Sequence, residues 1–454
     1  MLVCLVGCAT QRAELSPQPI TTSPAPQSSQ AARTPQALGA PDLLYITNRE
    51  PTVASGNRLS YGAKRAIFLS FGSVSILPKG NSSAGKSEFR VDAVSETGRF
   101  PATPYGVVTT ASGLRRTPEA VAAHEQAVAS LQAEIARRLA TAGRKEVVVF
   151  VHGYNNSFDD AALATDEICR SLQNQFVCII LTWPAGGTGG SFFGYNIDRE
   201  SSEFAVADFK KAVRAIAETK GVERLHLLAH SRGTDVLASV MQQLAIEAYV
   251  SRSSLWQRYK IANAVFFAPD MDLDVASSKL FAWVSDPDLA FGSKSTPSTL
   301  PSQGSLHLTV YSSPRDEALK ASTIISGSVL RLGQLAVGNL PRGRNEAASK
   351  WEGSHMGGLV DFVEFSGGGG FIGHSYFLSD ATIKTDLVAL IRDRAKAGDP
   401  RRQLVEIKRP FWRTSDASQA TPCLSQVFGG SVSVKQRCIA PLPTPKALGT
   451  LCYR

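Results

Sequence analysis

Short, fully apolar runs alternate with amphipathic stretches through the middle of this chain. Glu146 to Val151, Phe176 to Thr182, Leu225 to Ala229, Asn263 to Ala268 and Leu306 to Tyr311 read as strands. Thr117-Pro118-Glu119 supplies a cap residue, a proline at the first helical position and an early acid. Val121, Val128, Leu131, Ile135 and Leu139 mark the apolar face of the helix that follows. Further helices are predicted up to about Leu172, from about Glu200 to Thr219, from Arg232 to about Val250 and from Ala381 to Ala397. Strands apolar on both faces, alternating with helices, predict an α/β fold whose mostly parallel central sheet is covered on both sides. Leu43 to Thr47, Ala66 to Phe71 and Gly72 to Leu77 predict early strands, and Leu359 to Phe365 a late one. Residues 78–116 carry no clear pattern. Trp183 to Asn196, rich in glycine and aromatics, reads as a loop and as a candidate wall or lid for an apolar group.

The ends of the chain differ from its middle. Met1 to Gly7 is apolar, and Leu5-Val6-Gly7-Cys8 resembles the lipobox of bacterial lipoprotein precursors, although no basic segment precedes it. That resemblance implies acylation of Cys8, with two or more chains giving stable anchoring, and Ala9 after the cysteine favours the outer membrane. The expected location is therefore the cell envelope facing the periplasm, or the cytoplasm if the match is one of chance. Residues 9–40 are rich in Pro, Ser, Gln, Thr and Ala and read as a disordered tether. The predicted organisation is a signal segment at 1–8, this tether, an α/β domain over 41–398 and a basic, cysteine-bearing extension over 399–454.

Of the 454 residues 43% are apolar and 19% charged, as in globular proteins. The formal net charge is +9. From Ile391 to Arg454 there are twelve Lys/Arg and four Asp/Glu, a surplus of eight, so the rest of the chain is close to neutral. The charge belongs to a tail, solvated or facing an anionic envelope surface. Nucleic acid is not expected, because no recognisable binding module accompanies it. None of the seven cysteines lies in a CxxC or Cys/His cluster, so no metal site is predicted. Cys423, Cys438 and Cys452 lie in a region too polar for its own core, where a disulfide is expected in an oxidising compartment, with the pairing open.

The chemistry centres on Ala229-His230-Ser231-Arg232-Gly233, where an apolar strand meets a helix at a serine between small residues. This is the layout of a nucleophile elbow, with alanine in place of its first glycine. On such a fold the order is nucleophile, acid, base, so only His307, His355 and His374 qualify as base among seven histidines. His307 lies within an apolar strand and reads as a core residue. His374, after a late strand and before the last helix, is placed as a base should be, with His355 as the alternative. Asp316, on the loop after Thr309 to Ser313, is the candidate acid, with Asp270 and Asp272 as alternatives. Oxyanion donors are expected from the N–H of Arg232 and, in the His152-Gly153 loop, of Tyr154, with His152 shaping the loop rather than acting as base. Gly367 to Gly370 lacks the GK[ST] of a phosphate loop, so no cofactor is expected. His226 and His230 have a helical metal spacing but lie on a strand, and no metal is expected there either.

Together, Val149 to Asn155, Leu181 to Pro184, Ala229 to Gly233, Ala268 to Asp272, Tyr311 to Leu319 and Gly373 to Tyr376 resemble a bacterial α/β-hydrolase family of the DUF900 type. The resemblance covers about Leu43 to Ile391 and implies the α/β-hydrolase fold, with Ser231, Asp316 and His374 as a triad. It supplies no substrate. The function expected is that of a serine hydrolase cleaving a small-molecule or lipid ester through an acyl-enzyme. Thioester cleavage or acyl transfer, and a lipid-anchored envelope module that only binds, are the alternatives.

Overall fold

The computed structural model describes residues 42–79, 88–187, 190–280, 306–328, 330–339, 359–365 and 374–415. Cys8, Cys423, Cys438, Cys452, His355, the 9–40 segment and Gly367 to Gly370 lie outside the described residues. The strands are β1 (Leu43–Ala54), β2 (Arg58–Pro78), β3 (Phe89–Arg99), β4 (Val107–Thr110), β5 (Gly113–Arg116), β6 (Glu146–Val151), β7 (Val177–Thr182), β8 (Arg224–His230), β9 (Ile261–Phe267), β10 (His307–Ser312), β11 (Val360–Glu364), β12 (Leu404–Lys408) and β13 (Phe411–Thr414). The α-helices are α1 (Pro118–Thr141), α2 (Phe158–Ser171), α3 (Gly190–Glu218), α4 (Gly233–Val250), α5 (Leu255–Tyr259), α6 (Leu273–Leu280), α7 (Glu317–Ser326), α8 (Tyr376–Ser379) and α9 (Ala381–Ile391).

Every residue of β6, β7 and β9 is buried, as strands covered on both faces must be. They belong to a sheet of order β12-β13-β11-β10-β9-β8-β6-β7-β1-β2-β3. From β13 to β1 all neighbours run parallel, and the two edges are finished by antiparallel pairs. Alternate residues feed two apolar layers. Val147, Val149, Val151, Leu227 and Ala229 face one, which α1, α3 and α4 cover. Val148, Phe150, Leu228, Val265 and Phe267 face the other, which α2, α8 and α9 cover. The α/β architecture read from the apolar runs is the one observed.

Four boundaries differ from the reading of the sequence. Helix α3 begins at Gly190 rather than near Glu200, so only the start of Trp183 to Asn196 is a loop. Its first turns contain Gly194 and Asn196, poor helix formers. They are held by Tyr195 and Asp198, which are both buried. Residues 78–116, without pattern in sequence, carry β3 and the β4–β5 hairpin. The last helix stops at Ile391, short of Ala397, where the chain turns back through Arg394 at φ 54°. Finally, the boundary expected at 398 falls inside the sheet, because β12 and β13 extend it beyond β11.

Charged side chains attach those last strands. Arg402, fully buried, makes two 2.8 Å bonds to Asp386 of α9. Asp386 also accepts a hydrogen bond from Tyr311 of β10 at 2.5 Å, and Trp412 donates to Asp361 of β11 at 3.0 Å. A disulfide, Cys169–Cys178, joins α2 to β7. Removing one member of a buried, hydrogen-bonded ion pair leaves the other charge uncompensated. Arg402→Met is therefore expected to destabilise the fold by about 3–5 kcal/mol, read from the midpoint of urea unfolding; an unchanged midpoint would separate the C-terminal strands from the folded core.

Candidate active site

Ser231 stands between β8 and α4 with φ at 52°, a left-handed conformation costly for a residue with a side chain. Its backbone is held from two sides. The Ser231 N–H donates to Phe267 O at 2.9 Å, and its carbonyl accepts from Asp270 N at 3.2 Å and Thr234 Oγ1 at 2.7 Å. The turn is possible because of two glycines. A Cβ on Gly233 would run into the carbonyl oxygens of His152 and Val151, and one on Gly153 would lie 2.8 Å from Ser231 Cβ. The alanine replacing the first elbow glycine, Ala229, is fully buried in the sheet.

His374 and Asp316 meet. His374 Nδ1 is 2.8 Å from Asp316 Oδ2, across 58 residues of chain. Asp316 is the N-cap of α7 and is fully buried; its other oxygen accepts from Leu319 N at 3.0 Å. The cap thus fixes the carboxylate that orients the imidazole. With Nδ1 committed to Asp316, Nε2 is the ring nitrogen left to act as base. The pair stands against the elbow through His230, whose ring centroid lies 4.7 Å from that of His374. His230 Nε2 donates to the His374 carbonyl at 3.1 Å. Among the described residues no hydrogen bond joins Ser231 to His374, a contact that often tightens only with substrate bound.

The alternative acids are committed elsewhere. Asp270 accepts from Tyr195 (2.9 Å) and Ser322 (2.6 Å), with Arg331 Nε at 3.3 Å. Asp272 caps the start of α6 through Asp274 N at 2.8 Å. His307 is paired with Asp361 at 2.8 Å. His226 lies between Glu146 (2.8 Å) and Asn263 (2.9 Å) at the opposite end of the strands.

The other expected site residues are also placed. Arg232 precedes α4, where backbone N–H groups have no partner within the helix. Its side chain turns away to Asp235 at 2.8 Å. Tyr154 follows Gly153 on the facing loop, its ring 5.6 Å from that of Tyr195. His152 shapes that loop. Its Nε2 accepts from Trp183 N at 3.1 Å, so Nδ1 donates to Gly153 O at 2.9 Å. Burial, and then the charge of Arg49, hold His152 well below the usual histidine range. Burial and then His374 do the same to His230. Both rings are neutral partners rather than bases. Trp183, the first residue of the stretch read as a candidate wall or lid, is fully buried and stacked on His152 at 5.2 Å. A cavity of about 320 Å³ lies nearby, its lining shared between Phe150, Leu163 and Phe377 and the polar His230, Asp160 and Glu167.

Arg49, Asp198 and the supporting role of His230 were not legible in the sequence. The one signal for Arg49 is an arginine two positions past the apolar run Leu43 to Thr47.

The sequence model of a family described as "Alpha/beta hydrolase of unknown function (DUF900)" matches residues 127–394. No curated protein matches the chain. Solved structures similar to it include a candidate thioesterase from Silicibacter sp. TM1040, 17% identical with a TM-score of 0.23, over 39% of this chain and 62% of that one. A lipase-esterase related protein from Clostridium acetobutylicum is 13% identical with a TM-score of 0.27, over 56% of this chain and 96% of that one. An arylesterase is 14% identical with a TM-score of 0.25, over 56% and 77%. The chain thus spans less than two thirds of the first of these, and likenesses this remote decide nothing about activity.

Two glycines set the elbow, so adding a methyl tests it. Gly233→Ala is expected to cost about 1–3 kcal/mol through overpacking against backbone that cannot move aside, measured by urea denaturation. Wild-type stability in that variant would contradict the close strand–helix crossing.

Proposed function

The chain belongs to the DUF900 family of α/β hydrolases, and from that premise we propose that it is a serine esterase acting through Ser231, His374 and Asp316. The observation that carries this reading is the His374–Asp316 pair, 2.8 Å apart, set against an elbow serine in left-handed conformation. In the proposed reaction Ser231 Oγ attacks the ester carbonyl carbon while His374 Nε2 takes the hydroxyl proton. The imidazolium is stabilised through Nδ1–H to Asp316. The N–H groups of Arg232 and Tyr154 receive the oxyanion, each such donor being worth about 3–4 kcal/mol. Collapse expels the alcohol, which leaves with the proton from His374. Water, deprotonated by the same nitrogen, then attacks the acyl-enzyme and restores Ser231. The cavity beside His230 has a mixed lining, with Phe150, Leu163 and Phe377 beside Asn156, Asp160 and Glu167, and suits a small group with both apolar and polar parts.

The same proposal places the enzyme in the cell envelope, anchored through Cys8. The Cys169–Cys178 disulfide supports this location, since such bonds persist in oxidising compartments. Incorporation of a palmitate analogue that disappears in Cys8→Ala is the expected result; equal labelling of both proteins would remove the anchor.

A fluorophosphonate probe is expected to label Ser231 in the folded protein and not Ser231→Ala. Asp316→Asn should lower ester turnover by about 10⁴-fold. Unlabelled Ser231, together with ester turnover that survives Ser231→Ala, would defeat the esterase reading. The pH profile gives an independent check. Because His152 and His230 are held well below the usual histidine range, both stay neutral as pH falls through mildly acidic values. The acid limb of kcat/KM should therefore follow a single ionisation, and a limb steeper than one proton would implicate a second histidine.

A further inference from the structure

We propose that Arg49 and Asp198 are positioning residues that clasp the candidate oxyanion loop from opposite sides and set the Tyr154 donor. Arg49 lies on β1 between two register shifts, irregularities of the kind that re-aim a side chain. The residue is 1% exposed. Its N–H groups go to Thr182 Oγ1 (2.8 Å), Gly62 O (3.1 Å), Ala185 O (2.9 Å) and Asn156 O (2.6 Å), with His152 Nε2 at 3.3 Å. Among the described residues no carboxylate lies within ion-pair distance of it. Asp198, 2% exposed, accepts from Asn155 N (2.9 Å) and Gly186 N (3.2 Å).

The two charges therefore grip the same pair of loops by opposite ends. Ala185 O and Gly186 N belong to one peptide unit, which lies between the guanidinium and the carboxylate with its dipole aligned to both. On the other loop Asp198 holds the Tyr154–Asn155 peptide by its N–H, and Arg49 holds the next carbonyl but one. Asn155 itself has φ at 55°, a left-handed turn that asparagine tolerates better than other residues with a side chain. The N–H of Tyr154 is one peptide away. Burial pushes Arg49 down to about 9, opposed by Asp198 and Asp160, and burial pushes Asp198 up. Each charge is costly alone and depends on the other across the loops.

This inference rests on the esterase reading for its catalytic consequence but not for its geometry, and the test separates the two. Asp198→Asn and Arg49→Lys are compared with wild type in three measurements: amide hydrogen exchange at Asn155 and Gly186, kcat and KM on a short-chain aryl ester, and inhibition by a trifluoromethyl ketone that forms an oxyanion on Ser231. Faster exchange at both amides is expected, with kcat lowered about 100- to 1000-fold as for loss of an oxyanion donor. Inhibitor affinity should weaken in parallel and KM should change little. A purely structural role would reduce the folded fraction without separating kcat from KM. If Arg49→Lys does not fold, Asp198→Asn carries the comparison. Wild-type exchange protection in Asp198→Asn overturns the clasp whether or not the protein is active. Altered exchange with unchanged kcat and inhibitor affinity overturns its role in setting the donor. A wild-type protein that turns over no ester defeats the esterase reading and leaves exchange to decide the clasp.

Discussion

Ser231 keeps a left-handed backbone because its neighbours leave it no other. The N–H is tied to Phe267 at the end of β9, and the carbonyl to Asp270 just beyond that strand. Gly233 allows α4 to pass close to the end of β6 at His152. A conformation disfavoured by roughly 1–2 kcal/mol is thus imposed by a sheet with a much larger stake in its own packing. Everything proposed for the site depends on this turn, since it lifts the serine to the C-terminal ends of the parallel strands. There the loops after β6, β10 and β11 can reach it.

Around that turn, buried polar groups do the positioning. Asp316 caps α7 with one oxygen and orients His374 with the other, so a helix start and the placement of an imidazole share one side chain. Asp270 ties α3, α7 and the Arg331 segment to the elbow through Tyr195, Ser322 and Arg331. His152, just after β6, and His230, the last residue of β8, remain neutral because they are buried, and act by hydrogen bonding and ring contact. A buried polar group is costly unless satisfied, and these are satisfied only in one arrangement of the loops. That selectivity is what gives the site a defined geometry.

Much of this was legible in the sequence because local rules and global packing agree over the middle of the chain. The runs of β6, β7 and β9 are apolar on both faces, which only a covered parallel sheet satisfies. Thr117 and Pro118 mark the start of α1 as capping chemistry predicts, with Thr117 Oγ1 accepting from Ala120 N at 3.2 Å. Reading failed where tertiary contacts override local preference. The first turns of α3 contain glycine and asparagine, yet Tyr195 and Asp198 hold them in helix. Strand β12 is largely exposed, as edge strands are, and is flanked by Arg401, Arg402 and Arg409, so in sequence it resembles a solvated tail.

Chain order and residue type alone nominated Ser231, His374 and Asp316, because an elbow motif restricts where its partners can fall. The same reasoning left Asp270 and Asp272 open, since all three aspartates follow strand ends and spacing does not measure distance. Tertiary structure gives them different partners. It brings Asp316 to 2.8 Å from His374 and commits Asp270 to Tyr195 and Ser322. It also revealed Arg49 and Asp198, which are 149 positions apart and share no motif. Their relation exists only through the peptides they hold between them. A sequence states which groups a site can use, whereas the meeting of charges across loops is a property of the folded chain.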